Sequence, residues 1–481
     1  MEQTSVLTQT ARWWRPSAAP GGGQGRVVLV QLLTALALST AGGAAIAATG
    51  DWRIATGLLG GMAFAAFGML RPALFLGVLL TVRPLLDGLP GGVGGLTGIV
   101  LIGVCAIAVA TSRQTIALRG SIAFGALLAV SALASLLAML ELRDALGLDP
   151  LAELVRLAAL FAIYVLAAHI ATSPARMRSV FLVVGLSGVL PALSGLAELL
   201  NDPEKIASLD LVRVSGTFVN APALSAYLAL CILVLVSLPR EDLPAKVRWP
   251  AAALMLVALI ATYGREGWAL LLLGIVVLHW RSSKRVLVAV ATVCATLLLV
   301  VPGVRERVLP TEEVTQSDAA STFASYDFRL ANWRGLLNRY AERPLTGWGL
   351  ESTVVVNPRR PYGALRDSAG GFQAHNAVVR ALVEGGVQLL LAVLAVFAVM
   401  IAAMRRIARA PQSPLRPYAR IAAAAWIAVL VVAVTTDDVL DATALVYALL
   451  ALTAVVEGAH HALSPREPRM PPAAHVRSAP T

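Results

Sequence analysis

Charged residues are scarce in this sequence of 481 residues: they make up 14% of it, against about a quarter of a soluble globular chain. The chain is 58% hydrophobic with a mean hydropathy of +0.75. It therefore has too few polar side chains to cover a water-soluble protein of this size. The composition excludes a soluble enzyme, a disordered protein and a secreted disulfide scaffold, and it predicts an all-α polytopic membrane protein.

Cysteine and lysine are also rare. Cys105, Cys231 and Cys294 each lie inside an apolar run and form no C-x-x-C spacing, so neither a disulfide framework nor a zinc site is expected. Nearly all of the 39 basic residues are arginines. An arginine stays charged when buried, and its guanidinium can bind phosphate through two parallel hydrogen bonds. The net charge of +11 is spread between the apolar runs, which argues against nucleic acid as a partner.

About fourteen apolar segments of spanning or near-spanning length follow one another along the chain. They lie at 27–49, 52–70, 72–86, 92–112, 121–140, 151–171, 179–200, 222–238, 248–263, 267–280, 285–302, 377–404, 418–436 and 440–460. Because 52–86 reads as two segments or as one kinked pair, about 12 to 14 transmembrane helices are expected.

The expected domains follow from these segments and from the polar stretches between them. They are a flexible basic cytoplasmic tail at 1–26, N-terminal transmembrane helices at 27–302, an extracytoplasmic loop at 303–376, C-terminal transmembrane helices at 377–460 and a disordered cytoplasmic tail at 461–481.

The connections between the segments alternate in charge. With the N-terminus in the cytoplasm, every inner connection is basic, whereas the outer ones are acidic or mixed, as at 437–441. The sequence therefore predicts a multi-pass protein of the cytoplasmic (inner) membrane, with both termini in the cytoplasm and an active site that faces the periplasm or exterior.

The longest connection, 303–376, falls on the outer side and is long enough to carry a binding or catalytic role. Apolar residues at helical spacing predict a helix from Tyr326 to Ala341 within it. Trp333 and Trp348 are candidates for stacking on sugars, although a core or interfacial role is favoured for both.

Four arginines are predicted near the outer ends of their helices: Arg83, Arg156, Arg213 and Arg265. A charge in hydrocarbon costs at least a few kcal/mol, so such side chains face a polar cavity and have a partner. The alternative for Arg83 is a structural pair with Asp87 or snorkelling, and for Arg265 it is a pair with Glu266 or another acid. Arg213 has the alternative of a plain loop charge. The shared level of the four arginines on one side of the membrane nevertheless favours a common anion site.

Histidine occurs six times, and only His375 falls on the outer side, where it starts a predicted helix. Arg380 and Glu384 follow on one face of that helix at i,i+4 spacing. A neutral imidazole accepts a proton near physiological pH, which makes His375 a candidate general base. Helix capping is the alternative role for this residue.

Three motifs, taken together, resemble the O-antigen ligase / O-antigen polymerase superfamily, and the resemblance is firm over about residues 200–400. The motifs are Gly264-Arg-Glu-Gly-Trp-Ala-Leu, the pair Arg329-Leu-Ala-Asn-Trp-Arg and Arg343-Pro-Leu-Thr-Gly-Trp-Gly, and His375-Asn with Glu384-Gly-Gly. Glu266 stands where that family usually has a small residue.

The resemblance implies a GT-C-like fold and a membrane glycosyltransferase of cell-surface polysaccharide biosynthesis. Such an enzyme transfers a glycan from a polyprenyl (undecaprenyl) diphosphate to a hydroxyl of a glycan, lipid or cell-wall acceptor, as an O-antigen ligase does. A Wzy-type polymerase is the alternative. A transporter of anionic lipid or solute and a non-catalytic assembly partner are more distant ones. The expected partners also include the lipid bilayer and polysaccharide-assembly proteins. No cofactor, metal ion or nucleotide sugar is expected.

The resemblance also implies roles for particular residues. His375 is the expected base in an inverting transfer, and Arg265 is the second catalytic residue, which stabilises the departing diphosphate without a metal ion. The residues expected to bind or orient the substrates are Arg83, Arg156, Arg213, Arg329, Arg380 and Glu384.

Overall fold

The computed structural model describes residues 63–88, 93–111, 118–201, 213–280, 283–286, 288, 291–292, 326–358, 373–436 and 443–463. The predictions for the tail at 1–26, for the tail beyond 463, for Cys294 and for the acidic turn at 437–441 fall outside these residues.

Within the described residues the chain forms helices and no strands, which confirms the all-α class. The longer helices are α1 (Pro72–Val82), α2 (Val93–Thr111), α3 (Ser121–Glu141), α4 (Asp149–Ile170), α5 (Pro174–Ser187), α6 (Val189–Asn201), α7 (Ala221–Ser237), α8 (Ala245–Ala261), α9 (Arg265–His279), α10 (Tyr326–Glu342), α11 (Ala377–Arg409), α12 (Arg416–Val432) and α13 (Ala444–Leu463).

Five of the described helical runs are long and apolar enough to cross a membrane. They are α3, α4, the continuous run of α5 and α6, α11 and α13. Three shorter apolar runs, Pro72–Leu85, Gly98–Ala110 and Ala221–Ser237, accompany them. The protein is therefore polytopic, and the total of 12 to 14 helices stays a prediction for the whole chain.

Helix α13 lies at the centre of the bundle and is buried on nearly all sides. Its sequence is rich in alanine, and small side chains allow neighbouring helices to approach closely. At Gly458 a Cβ would overlap the carbonyl oxygen of Ala168 in α4. The hydroxyl of Thr453 accepts a hydrogen bond from Trp426 of α12 at 2.7 Å, so this buried polar group is satisfied.

Connections between helices are joined by hydrogen bonds at each end of the bundle. At one end, Arg420 donates to the Leu278 carbonyl at 2.6 Å and Tyr418 bonds to Asp242. At the other end, hydrogen bonds join the residues after α1 (83–88) to the connection before α7 (213–220), and they join that connection to the end of α8. Hydrogen bonds there also join residue 350 to α3, and the start of α11 to the residues after α12 (433–436). We call this second end the site end, because every candidate site residue lies there or in the first turns of a helix that begins there.

Candidate functional site

Residues 343–350, which are the Arg343-Pro-Leu-Thr-Gly-Trp-Gly motif and Leu350, dock onto a break in α11. The helix is interrupted at Gly385 and Gly386, and Gly386 has φ +65°. The backbone N–H groups of Trp348 and Gly349 donate to the carbonyls of Val383 and Glu384, each at 2.8 Å. The break thus frees carbonyl groups that the docked turn satisfies. The sequence predicted the start of this helix but not its interruption.

Replacing Gly386 with alanine should lower the free energy of unfolding by about 1–3 kcal/mol, because an L-residue at this φ is strained. A Cβ there would also overlap the carbonyl oxygen of Leu345. The measurement is the thermal unfolding of the detergent-solubilised protein. Gly125→Ala in α3 is the matched control, since a Cβ at Gly125 meets nothing within 4 Å. Equal unfolding midpoints for the two variants would contradict the docking argument.

Arg213, Arg265, Glu266 and Arg329 form one group at the site end, which we call the arginine cluster. Arg265 and Glu266 begin α9, Arg213 lies in the connection before α7, and Arg329 lies in α10. Arg329 is 3.9 Å from the Glu266 carboxylate and donates to the Thr435 carbonyl at 3.2 Å. The Nε of Arg213 donates to the Thr262 carbonyl at 3.2 Å.

The arginine cluster contains three guanidinium groups and one carboxylate, and their charges act on one another. Burial lowers the pKa of the Arg213 guanidinium; Glu266 opposes this effect, whereas the charges of Arg265 and Arg329 lower the pKa further. The charges of Arg265, Arg329 and Glu266 thus all act on the Arg213 guanidinium. The Nε of Arg329 is buried and has no hydrogen-bond partner among the described residues. The cluster therefore has donors and charge to offer an anion.

His375 lies half-buried just before α11, which Asn376 caps by accepting hydrogen bonds from the N–H groups of Val378 and Val379. His375 itself has φ +47°, an uncommon conformation for a residue with a side chain. The N–H of Ala377 bonds to carbonyls of Ala433 and Thr436, next to the residue that Arg329 contacts. The histidine and the arginine cluster are thus held against the same connection, 433–436.

A second charged group lies deeper at the site end and consists of Glu153, Arg156, Glu351, Arg380 and Glu384. We call it the carboxylate cluster. Arg380 donates from Nη2 to Glu351 and from Nε to Glu384, each at 3.1 Å. Arg156 pairs with Glu153 and lies 4.0 Å from Glu351. Thr353 donates to Glu384 at 2.9 Å. The carboxylate cluster thus contains three carboxylates and two arginines, and both arginines are paired with carboxylates within it.

Arg83 forms the local pair that the sequence had left as an alternative. It contacts Asp87 at 2.6 Å, and its guanidinium lies 5.8 Å from the centre of the Tyr447 ring. The charges of Arg83 and Arg156 both act on the Tyr447 hydroxyl. Of the four arginines expected to share an anion site, the structure therefore brings together Arg213 and Arg265, and pairs the other two with carboxylates.

A cavity of about 60 Å³ lies beneath the carboxylate cluster, between α3, α4, α11, α12 and α13. Glu153, Arg380 and Glu384 line its polar end, and apolar side chains such as Leu157 and Phe397 line the rest. This volume is large enough for water, which would solvate the charged groups at its polar end. In the described ranges, no three His, Cys, Asp or Glu side chains are grouped so as to hold a metal ion.

Trp333 and Trp348 pack against a small apolar core between α10 and α11, which is formed by Leu336, Ala374, Val379 and Val383. This agrees with the structural role that the sequence favoured for them. Sequence reasoning missed Glu153 and Glu351. The i,i+3 spacing of Glu153 and Arg156 was a usable signal for the first, but Glu351 lies far from its partners along the chain and gave none.

Comparison with known proteins gives a match over residues 250–394 to the O-antigen ligase family. The matched stretch includes α9, α10 and the start of α11, and hence Arg265, Arg329 and His375. No curated protein shows significant sequence similarity to the chain. The resemblance inferred from the three motifs is therefore confirmed.

Proposed function

We propose that the protein is a glycosyltransferase, and the match of residues 250–394 to the O-antigen ligase family supports this proposal. The family implies a membrane glycosyltransferase-like role in surface polysaccharide biosynthesis. In our proposal the protein moves a glycan from a polyprenyl diphosphate to an acceptor hydroxyl, in the manner of a ligase.

One observation carries this proposal: three guanidinium groups gather in the arginine cluster, and the connection 433–436 accepts hydrogen bonds both from Arg329 of that cluster and from Ala377, two residues after His375. A lipid-linked diphosphate is an anion held at the membrane surface, and guanidinium groups bind phosphate oxygens with two parallel hydrogen bonds. We assign the diphosphate to Arg213, Arg265 and Arg329. The positive end of the α9 dipole adds to the field at this point.

The proposed transfer forms a bond between the acceptor oxygen and the anomeric carbon as the bond from that carbon to the phosphate oxygen breaks. The electron pair of the broken bond goes to the diphosphate. Its growing charge is stabilised by the three fixed guanidinium groups, so that the protein's own donors do the work of charge stabilisation. The acceptor attacks from the side opposite the diphosphate, which inverts the configuration at the anomeric carbon.

His375 takes the proton of the acceptor hydroxyl in this mechanism. Glu266 and Glu351 are carboxylates at the same end of the bundle, but each is engaged with an arginine. Arg380 and Glu384 orient the first turns of α11. Arg156 and Arg380 together hold Glu351, and with it the docked turn at 343–350, against the bundle.

Charge distribution supports a proposed orientation in the membrane. The connections at the end opposite the site carry Arg176, Arg178, Arg240, Lys246 and Arg416, and basic connections favour the cytoplasmic side. We therefore assign the site end to the exterior of the cytoplasmic membrane, where lipid-linked glycans are consumed. A cysteine placed in the exposed part of 343–346 should react with a membrane-impermeant reagent added to intact cells.

The proposal is tested by a transfer assay on the purified protein in lipid nanodiscs, with a polyprenyl-diphosphate glycan as donor. We expect acceptor-linked glycan and free polyprenyl diphosphate in equal amounts, at the same rate with and without EDTA, and with inverted anomeric configuration. Movement of the donor across proteoliposome membranes without bond cleavage would contradict the proposal and support a transporter. Loss of activity in EDTA that Mg²⁺ restores would contradict the arginine-based mechanism.

Deletion of the gene separates a ligase from a polymerase. Glycan chains of normal length should accumulate on the lipid carrier if the protein is a ligase. Single repeat units on the carrier would identify it as a polymerase instead.

A further inference from the structure

The two residues just before His375 accept hydrogen bonds from two side chains of α10. Asn332 donates from Nδ2 to the Gln373 carbonyl at 3.0 Å, and Trp333 donates from Nε1 to the Ala374 carbonyl at 2.7 Å. The two acceptors immediately precede a histidine with φ +47°. Such a conformation persists only where the surrounding structure fixes it, and these two hydrogen bonds fix the chain on one side of it.

Asn332 is itself oriented by a second buried amide. Asn357 donates from Nδ2 to the Oδ1 of Asn332 at 2.7 Å, and the two residues are only 3% and 2% exposed. A buried amide is costly unless its groups are bonded, so both side chains are confined to one arrangement. With its oxygen occupied by Asn357, the amide nitrogen of Asn332 is left facing the Gln373 carbonyl.

The same helix also holds one member of the arginine cluster. Arg329, Asn332 and Trp333 are spaced i, i+3 and i+4 in α10, and therefore lie on one face of it. Arg329 reaches Glu266 and the Thr435 carbonyl, while the next turn of this face reaches the residues before His375. A rigid helix thus sets the separation between the proposed diphosphate ligand and the proposed base.

We propose that Asn332 and Trp333 are positioning residues, whose hydrogen bonds to the two carbonyls before His375 hold the imidazole at its working distance from the arginine cluster. This inference rests on the proposed function, in which His375 is the base. Neither residue touches the reacting atoms in this proposal. Their role explains why Trp333 lies with its indole N–H turned to the backbone instead of presenting its ring to a sugar.

Trp333→Phe tests the inference, because phenylalanine keeps an aromatic ring but has no N–H. We expect kcat to fall about 10- to 100-fold, as for a misplaced catalytic group, while the KM for the lipid-linked donor stays within about twofold. Trp348→Phe is the matched control: Trp348 packs against the same small apolar core, but its Nε1 donates to the Arg339 carbonyl at 2.9 Å and not to a residue before His375. The two variants should show similar thermal unfolding midpoints, with kcat nearly unchanged in the control.

Asn332→Leu provides a second variant, which removes the other hydrogen bond and should also lower kcat with little change in KM. Equal kcat values for Trp333→Phe and Trp348→Phe, or a parallel rise in KM, would overturn the inference if His375→Ala is inactive in the same assay. Full activity of His375→Ala would instead overturn the base assignment in the proposed function. If Trp333→Phe does not fold, Asn332→Leu decides by the same two criteria.

Discussion

A His375→Ala variant should transfer glycan about 10²- to 10⁴-fold more slowly than the unchanged protein, with little loss of donor binding. The imidazole is the group assigned to remove the acceptor proton, and Glu266 and Glu351 are each engaged by an arginine. Initial rates in nanodiscs and direct binding of the lipid-linked donor measure the two effects separately. Added imidazole should restore part of the lost rate, since a small base can enter the space that alanine leaves.

His279→Ala is the control for this experiment, because His279 ends α9 at the opposite end of the bundle. It should keep its transfer rate within about twofold, a change too small to reflect loss of a catalytic group. A His375→Ala protein that retains full activity would rule out His375 as the base. Loss of donor binding in that variant would show that the histidine contributes to the ground-state complex instead.

An Arg265→Lys variant should lose about 10²- to 10³-fold in kcat, the effect of removing one preorganised donor from a developing anion. Lysine keeps the positive charge but cannot offer two parallel N–H groups to a diphosphate. Arg265 is the first residue of α9, exposed at the site end, so the change should leave the bundle itself intact. Steady-state kinetics with varied donor concentration give kcat and KM for the comparison.

Arg343→Lys makes the same exchange at the same end of the bundle. Arg343 pairs with Glu141, and its guanidinium lies 4.1 Å from the centre of the Trp348 ring, so its contacts are with the protein itself. We expect its kcat to stay within about threefold of the unchanged protein, as is usual for a substitution at a surface pair. Equal kcat losses for Arg265→Lys and Arg343→Lys would contradict a specific role of the arginine cluster in the transfer step.

The helices could be predicted well because their signal is local. Apolar stretches predicted at 121–140, 151–171, 222–238 and 267–280 correspond to α3, α4, α7 and α9 within two or three residues. Hydrocarbon thickness fixes the length of such stretches, and basic connections mark their ends. The meeting of Arg213 and Arg265 at one end followed from this alternation alone, without any knowledge of how the helices pack.

Pairings between distant segments could not be predicted in this way. Glu351 reaches both Arg156 and Arg380 only because the turn at 343–350 docks on the break at Gly385 and Gly386. Neither hydrophobic periodicity nor charge alternation encodes that docking. The level of Arg156 in the membrane therefore predicts a place in the anion site, because the sequence does not show that Glu351 lies beside it.

The hydrogen bonds of Asn332 and Trp333 illustrate the same limit. The sequence favours a core or interfacial role for Trp333 over stacking on sugars, but it does not indicate which group the indole N–H contacts, and it assigns no role to Asn332. The backbone carbonyls that accept their hydrogen bonds lie 41 residues further along the chain. A side-chain donor to a distant backbone leaves no periodic trace in the sequence.

The three guanidinium groups of the arginine cluster have a consequence for turnover. When the sugar leaves in the proposed reaction, the phosphate to which it was joined becomes a terminal phosphate, whose second ionisation near pH 6 adds up to about one negative charge. Cations that stabilise the departing diphosphate therefore bind the free polyprenyl diphosphate more tightly than the glycan-linked donor. Such an enzyme is prone to inhibition by its own by-product, and its pace in the cell depends on how quickly the emptied lipid is drawn away and recycled.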